Sequence, residues 1–266
     1  MATSCRTSEY FSGQGSVLMS EKNPTTGEPL GFRDVGNITG LELSFETEIF
    51  EHTESCTGAR GTDISIVQSI TVNATLVLES LDRENLALAL YGNSAEDASG
   101  SVADEVVTSA HGLWMPLGKT NITEESVVVG DDAVPTTTYT EGTDYEIDYG
   151  AGMIFFYATA DGGTISDATA TYVSYDHGAQ NRVEGIVSSA APERWLRFNG
   201  LNTVTSPSRS LVVDLFRVSV QPLTSLQFIN DELAEMSVDL TVLADTTRPS
   251  SNSQSQYMRI RGKTLG

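Results

Sequence analysis

Cysteine is almost missing from this chain: Cys5 and Cys56 are the only two among 266 residues. No Cys or His pair has the spacing of metal ligands, which argues against a zinc site. A disulfide would need an oxidising compartment, yet residues 1–20 hold no apolar run of a secretion signal, so two free thiols and a cytoplasmic origin are expected. Long hydrophobic runs are lacking as well; the longest, residues 153–158, is far too short to cross a bilayer. Tryptophan is limited to Trp114 and Trp195, which are expected to fill core. The three histidines, His52, His111 and His177, lie in separate segments with no G-x-S-x-G elbow, so a hydrolase triad has no support. No P-loop is present, and no G-x-G-x-x-G follows a strand. Positive charge is scarce: 15 Lys and Arg face 36 Asp and Glu, a net of −21. Such a surface repels nucleic-acid phosphate and anionic membranes, although acidity also serves plain solubility.

What is present reads as mostly β. Gly, Thr, Ser and Val are abundant, and turn signals recur at short intervals. Leu41, Leu43 and Phe45 alternate with Glu42, Ser44, Glu46 and Glu48, and Ile70, Val72, Ala74, Leu76 and Leu78 alternate with Thr71, Asn73, Thr75 and Glu79. Met236, Val238, Leu240, Val242 and Ala244 alternate with Glu235, Ser237, Asp239 and Thr241. Period two predicts strands with one dry and one wet face. Between the first two lies a Gly-rich loop at residues 53–63. Residues 81–92, LDRENLALALYG, predict one short helix, capped by Ser80 or Asp82 and stopped at Gly92. The apolar parity of residues 211–221 slips between Leu215 and Phe216, which predicts a bulge.

The domain reading is an extended arm at 1–36, a main β domain at 37–92 and 183–248, an inserted β-hairpin module at 104–178, and a basic tail at 249–266. Asp144, Glu146 and Asp148 are expected to share one exposed strand face; they lack the calcium-loop pattern, and no metal or other cofactor is implied. The Asn-x-Thr sites at Asn37, Asn73 and Asn121 carry no meaning without secretion.

Several segments resemble major tail tube proteins of long-tailed bacteriophages with non-contractile tails. They are TGEPLGFRDVGN (26–37), LELSFETEIFEHTES (41–55), the loop around Gly58 to Asp63, LDRENLALALYG, RWLRFNGLNT (194–203), VDLFRVSV (213–220) and LTVLADTTRP (240–249). The resemblance covers roughly 20–92 and 183–249. It implies a mainly β subunit of sandwich or split-barrel type with one short helix, forming rings of six stacked into a hollow tube, an architecture shared with the type VI secretion tube. It further implies a place in the virion, tape-measure, terminator and tail-tip proteins as partners, and DNA passing through without specific binding. No catalytic residue is implied.

On that reading the wet faces line the channel. The lumen candidates are Glu42, Glu46, Glu48, Asn73, Thr75, Glu79, Glu235, Ser237, Asp239 and Thr241; the lesser alternative is that this face is the outside of a sandwich. Candidates for ring-to-ring contact are Phe11, Phe32, Arg33, Arg60, Arg259 and Arg261, so deleting residues 1–20 is expected to stop polymerisation without unfolding the subunit. Two other readings stand beside it: another virion structural or decoration protein, or a carbohydrate-binding adhesin using Trp114, Trp195, Tyr139, Tyr145 and Tyr149.

Overall fold

The computed structural model describes residues 12–56, 58–188, 190–204, 209–231, 233–251 and 253–262. Two compact units emerge: Met1–Asn93 together with Val183–Gly266, and Ser94–Arg182. The first begins with β1 (Gly13–Lys22), β2 (Pro29–Asp34), β3 (Ile38–Thr53), β4 (Thr62–Leu78) and α1 (Arg83–Ala89). β5 (Asn93–Asp97) leads out of it. The second unit holds β6 (Gly100–Thr108), β7 (Trp114–Pro116), β8 (Val128–Gly130), β9 (Tyr145–Asp148), β10 (Met153–Phe156) and β11 (Ala170–His177). β12 (Gln180–Glu184) leads back and pairs with β5. β13 (Glu193–Asn202), β14 (Arg209–Val220), β15 (Met236–Val242) and β16 (Met258–Gly262) complete the first unit. The protein is mainly β; among the described residues there is one short α-helix, and no sheet is closed into a barrel.

The large sheet of the first unit runs β2-β1-β13-β14-β15-β4-β3, and β16 also pairs with β14. Because β13 occupies one side of β14, the other side is shared: β16 takes residues 211–215 and β15 takes 218–220. The β13–β14 register breaks between Leu215 and Val218, where the sequence parity slips. Val17 and Met19 of β1, Leu196 of β13, Leu215 and Val218 of β14, Leu240 of β15 and Leu76 of β4 belong to one buried cluster. Strands from both halves of the order therefore face the same core, so the sheet curls over on itself. Leu86, Leu88 and Ala89 of α1 pack against this cluster. The Asp82 carboxylate accepts the Asn85 backbone N–H at 2.7 Å and caps the helix. At the other end Tyr91, not Gly92, takes the left-handed conformation (φ 51°). Gly92 is needed for another reason: a Cβ there would lie 2.3 Å from the Glu184 carbonyl oxygen.

The expected arm at 1–36 is, in its described part, two strands of this sheet. β1 pairs with β13 from Gly13↔Asn202 to Ser20↔Trp195, and Val17 is fully buried. Its glycines resemble a loop signal, but a Cβ on Gly15 would sit 2.2 Å from the Asn199 carbonyl oxygen, so close strand packing requires glycine. Deleting residues 1–20 would remove core side chains, contrary to expectation. The basic tail likewise contributes β16 to the sheet.

In the second unit, β7-β10-β9 and β6-β11-β8 form two three-stranded antiparallel sheets. Val107, Ile147, Ile154, Phe156, Val173 and Tyr175 lie in its separate core. Asp144 is buried at the start of β9, unlike the exposed Glu146 and Asp148. It accepts the Thr140 and Thr164 backbone N–H groups at 2.8 Å and the Thr164 hydroxyl at 2.6 Å. Burial works to raise its pKa, and these donors outweigh burial and lower it. The three acids therefore do not share one exposed face.

Candidate assembly surface

Register places the ten lumen candidates on one surface. Directly opposed residues point to the same side of a sheet. Glu42, Thr75 and Asp239 form one row across β3, β4 and β15, and Ser44, Asn73 and Thr241 form the next. Glu46 faces Thr71 and Glu48 faces Ser69; Ser237 faces Val77. Glu79 and Glu235 keep the same parity just beyond β4 and before β15. Short polar bonds order this face: Thr75 Oγ1 donates to Asp239 at 3.0 Å and Ser69 Oγ to Glu48 at 2.9 Å. Asn37 donates to Glu79, and Thr39 to Glu235 at 3.3 Å. Among the described residues none of the six carboxylates (Glu42, Glu46, Glu48, Glu79, Glu235, Asp239) forms an ion pair with Lys or Arg.

The opposite side of β3 and β4 starts as core and then leaves it. Leu41/Leu76 and Leu43/Ala74 pack inward, and the same side continues through Phe45/Val72, Thr47/Ile70 and Ile49/Val67. Phe45 is 59% exposed and Ile70 58%. Beyond the body, among the described residues, β3 and β4 pair only with each other, as a ribbon out to Thr53↔Thr62. Its second side turns apolar near the tip, with Phe50 opposite Ile66 and His52 opposite Ile64, all exposed. His52 Nδ1 meets Asp63 at 2.7 Å across the ribbon. Cys56 carries an exposed free thiol near the tip; Cys5 lies outside the described residues. At the base of the ribbon, an apolar groove of about 840 Å³ runs between Ile38, Leu41 and Leu43 of β3 and Phe198, Leu211 and Val213.

The second group of candidates is only partly brought together. Phe32, Arg259 and Arg261 gather with Arg197 around Asp214 on the outer face of the sheet. Arg33 lies elsewhere, paired with Asp82 and Glu84 at the start of α1 and donating to Asn85 at 2.8 Å. Arg60 is in the ribbon tip with φ 50°, and Phe11 lies outside the described residues. Of the aromatic set of the adhesin reading, Tyr139 and Tyr149 pack against the second unit's core, to which Tyr145 belongs, while Trp195 lies in the first unit. Trp195 is 3% exposed beneath Arg248, and Tyr145 is buried in the second unit's core. Trp114 is 42% exposed, contrary to the expected core role, and borders Phe155 with ring centroids 5.4 Å apart.

Residues 10–261 match one family over nearly the whole chain: Protein of unknown function UCP028589. The chain belongs to that family. No curated protein matches it. No group of three or more His, Cys, Asp or Glu among the described residues could hold a metal ion, and no described helix is long and apolar enough to cross a membrane.

Proposed function

We propose that this protein is a self-assembling structural subunit, without catalytic activity, that builds the non-contractile tail tube of a phage virion. The observation that carries the reading is the β3–β4 ribbon. Among the described residues its apolar side chains continue the stripe of the core without being covered, and β2 and β3 stand at the edges of the sheet with backbone groups left to be paired. A neighbouring copy meets both needs, as the resemblance to tail tube proteins implies, with six copies in a ring. The face of Glu42, Glu46, Glu48, Asn73, Thr75 and Asp239 then turns to the channel. Carboxylates and hydroxyls give DNA a repulsive, hydrated wall, whereas Lys or Arg there would retain it through counterion release. Genomic DNA passes through, and tape-measure, terminator and tip proteins complete the tail.

Negative-stain microscopy of the purified protein tests the assembly: tubes or six-fold rings are expected, and monomers at every concentration would refute it. Particles carrying Glu42→Lys and Glu46→Lys test the channel. They should assemble and eject DNA more slowly; an unchanged ejection rate would show that the face lies elsewhere.

A further inference from the structure

The outer face of the sheet around Asp214 carries a surplus of positive charge on a chain whose net charge is −21. Asp214 is 0% exposed. One carboxylate oxygen accepts the Arg197 Nε–H at 2.6 Å, and the other accepts Arg261 at 2.7 Å and Arg259 at 3.5 Å. Arg197, Asp214 and Arg259 are direct partners across β13, β14 and β16, and Arg261 follows two residues later on the same side. Three guanidinium groups thus share one negative charge. Arg248 adds a fourth, 3.8 Å above the Phe216 ring, with no carboxylate in ion-pair reach among the described residues.

These arginines are held in place. Arg197 lies 4.9 Å over Phe32 and Arg259 lies 5.5 Å over Phe216, while Arg259 and Arg261 remain about half exposed. Each guanidinium has five donors, and the contacts with Asp214 occupy few of them. Solubility does not call for this arrangement, since the molecule already has a large charge of the opposite sign. Stacked, half-exposed arginines are the kind of preorganised side chain that dominates protein interfaces.

We propose that this face docks a carboxylate-bearing surface of a second copy of the chain. Charge complementarity selects the partner. Each copy offers 36 acidic side chains, and an acidic subunit that packs against itself must offset like-charge repulsion where the copies touch. The proposal rests on the self-assembly reading and names the chemistry of one of its contacts.

The test is arginine-selective dicarbonyl labelling of the wild-type protein, free and assembled, read by peptide mass spectrometry. Labelling at Arg259 and Arg261 should slow by about tenfold or more on assembly, as for donors excluded from water. The variant R259Q/R261Q, which keeps Arg197 on Asp214, should stay folded by circular dichroism and need about tenfold more protein to assemble. Tubes whose arginines label as fast as in the free chain would overturn the contact and leave the tube reading standing. Dimers or trimers with protected arginines would overturn the tube and support the contact. Protein that never associates would remove both. Should R259Q/R261Q fail to fold, the wild-type labelling alone decides.

Discussion

Burial works against a charged Asp214, and the Arg197 hydrogen bond with the charges of Arg197, Arg261 and Arg259 works the other way and prevails, holding its carboxyl below the usual range. Removing one member of a buried ion cluster leaves the others uncompensated. Here the arginines are partly in water, so Asp214→Asn should cost about 2 kcal/mol, below the range for fully buried pairs. The sign with pH follows from the direction of the shift. A lowered carboxylate stabilises the fold fully above its ordinary value of about 3.9, and that contribution disappears as pH falls through the folded-state value. Urea melts stepped downward from about pH 5 should therefore show a shallower loss of stability in D214N than in wild type. Equal slopes would mean that Asp214 does not titrate with unfolding. No local pattern in the sequence advertises this cluster. Its arginines stand 17, 45 and 47 residues away, and only the strand register assembles them.

At the level of elements, alternation was informative wherever a strand has one dry and one wet face, as at residues 41–48, 70–79 and 236–242. It failed in two physical situations. In β1 the succession Val17, Leu18, Met19 and the surrounding glycines hide the period, although the strand is paired on both sides, between β2 and β13. In the ribbon, Phe50, Ile64 and Ile66 make the second side apolar near the tip, so the contrast that defines period two vanishes and only a loop between two shorter strands was legible. The ribbon also makes a clean experiment. Replacing residues 49–68 with an Asn-Gly turn joins Glu48 to Ser69, which already face each other, in a geometry suited to a two-residue hairpin. The described residues removed include no buried side chain, so stability should change by less than about 0.5 kcal/mol. Assembly measured by light scattering should be lost. A shortened protein that still forms tubes would show that the ribbon is dispensable.

At the scale of the whole molecule, the two cores share no residue, and β5 and β12 pair where the chain leaves and re-enters the first unit. Paired strands stand about 5 Å apart, so a short Gly-Ser bridge between Asn93 and Val183 can replace the second unit. The resulting protein should melt cooperatively and retain assembly, checked by calorimetry and microscopy. Loss of the fold would mean that the first unit depends on its insertion. From sequence, the first part of the main β domain ends at 92 and the second begins at 183, and the compact unit begins at 94 and ends at 182, wider than the hairpin module at 104–178. The additional residues include the β5 and β12 segments and the start of β6, which lack an alternating apolar face of their own.

Because the ribbon lies outside its own core, damage there leaves a well-folded molecule behind. Such a copy would keep every other contact surface while its ribbon offered a neighbour nothing. On the proposed assembly it would join a growing polymer and halt it. Even a minor admixture of ribbon-defective copies would therefore act as chain terminators, shortening the product far beyond their share of the mixture.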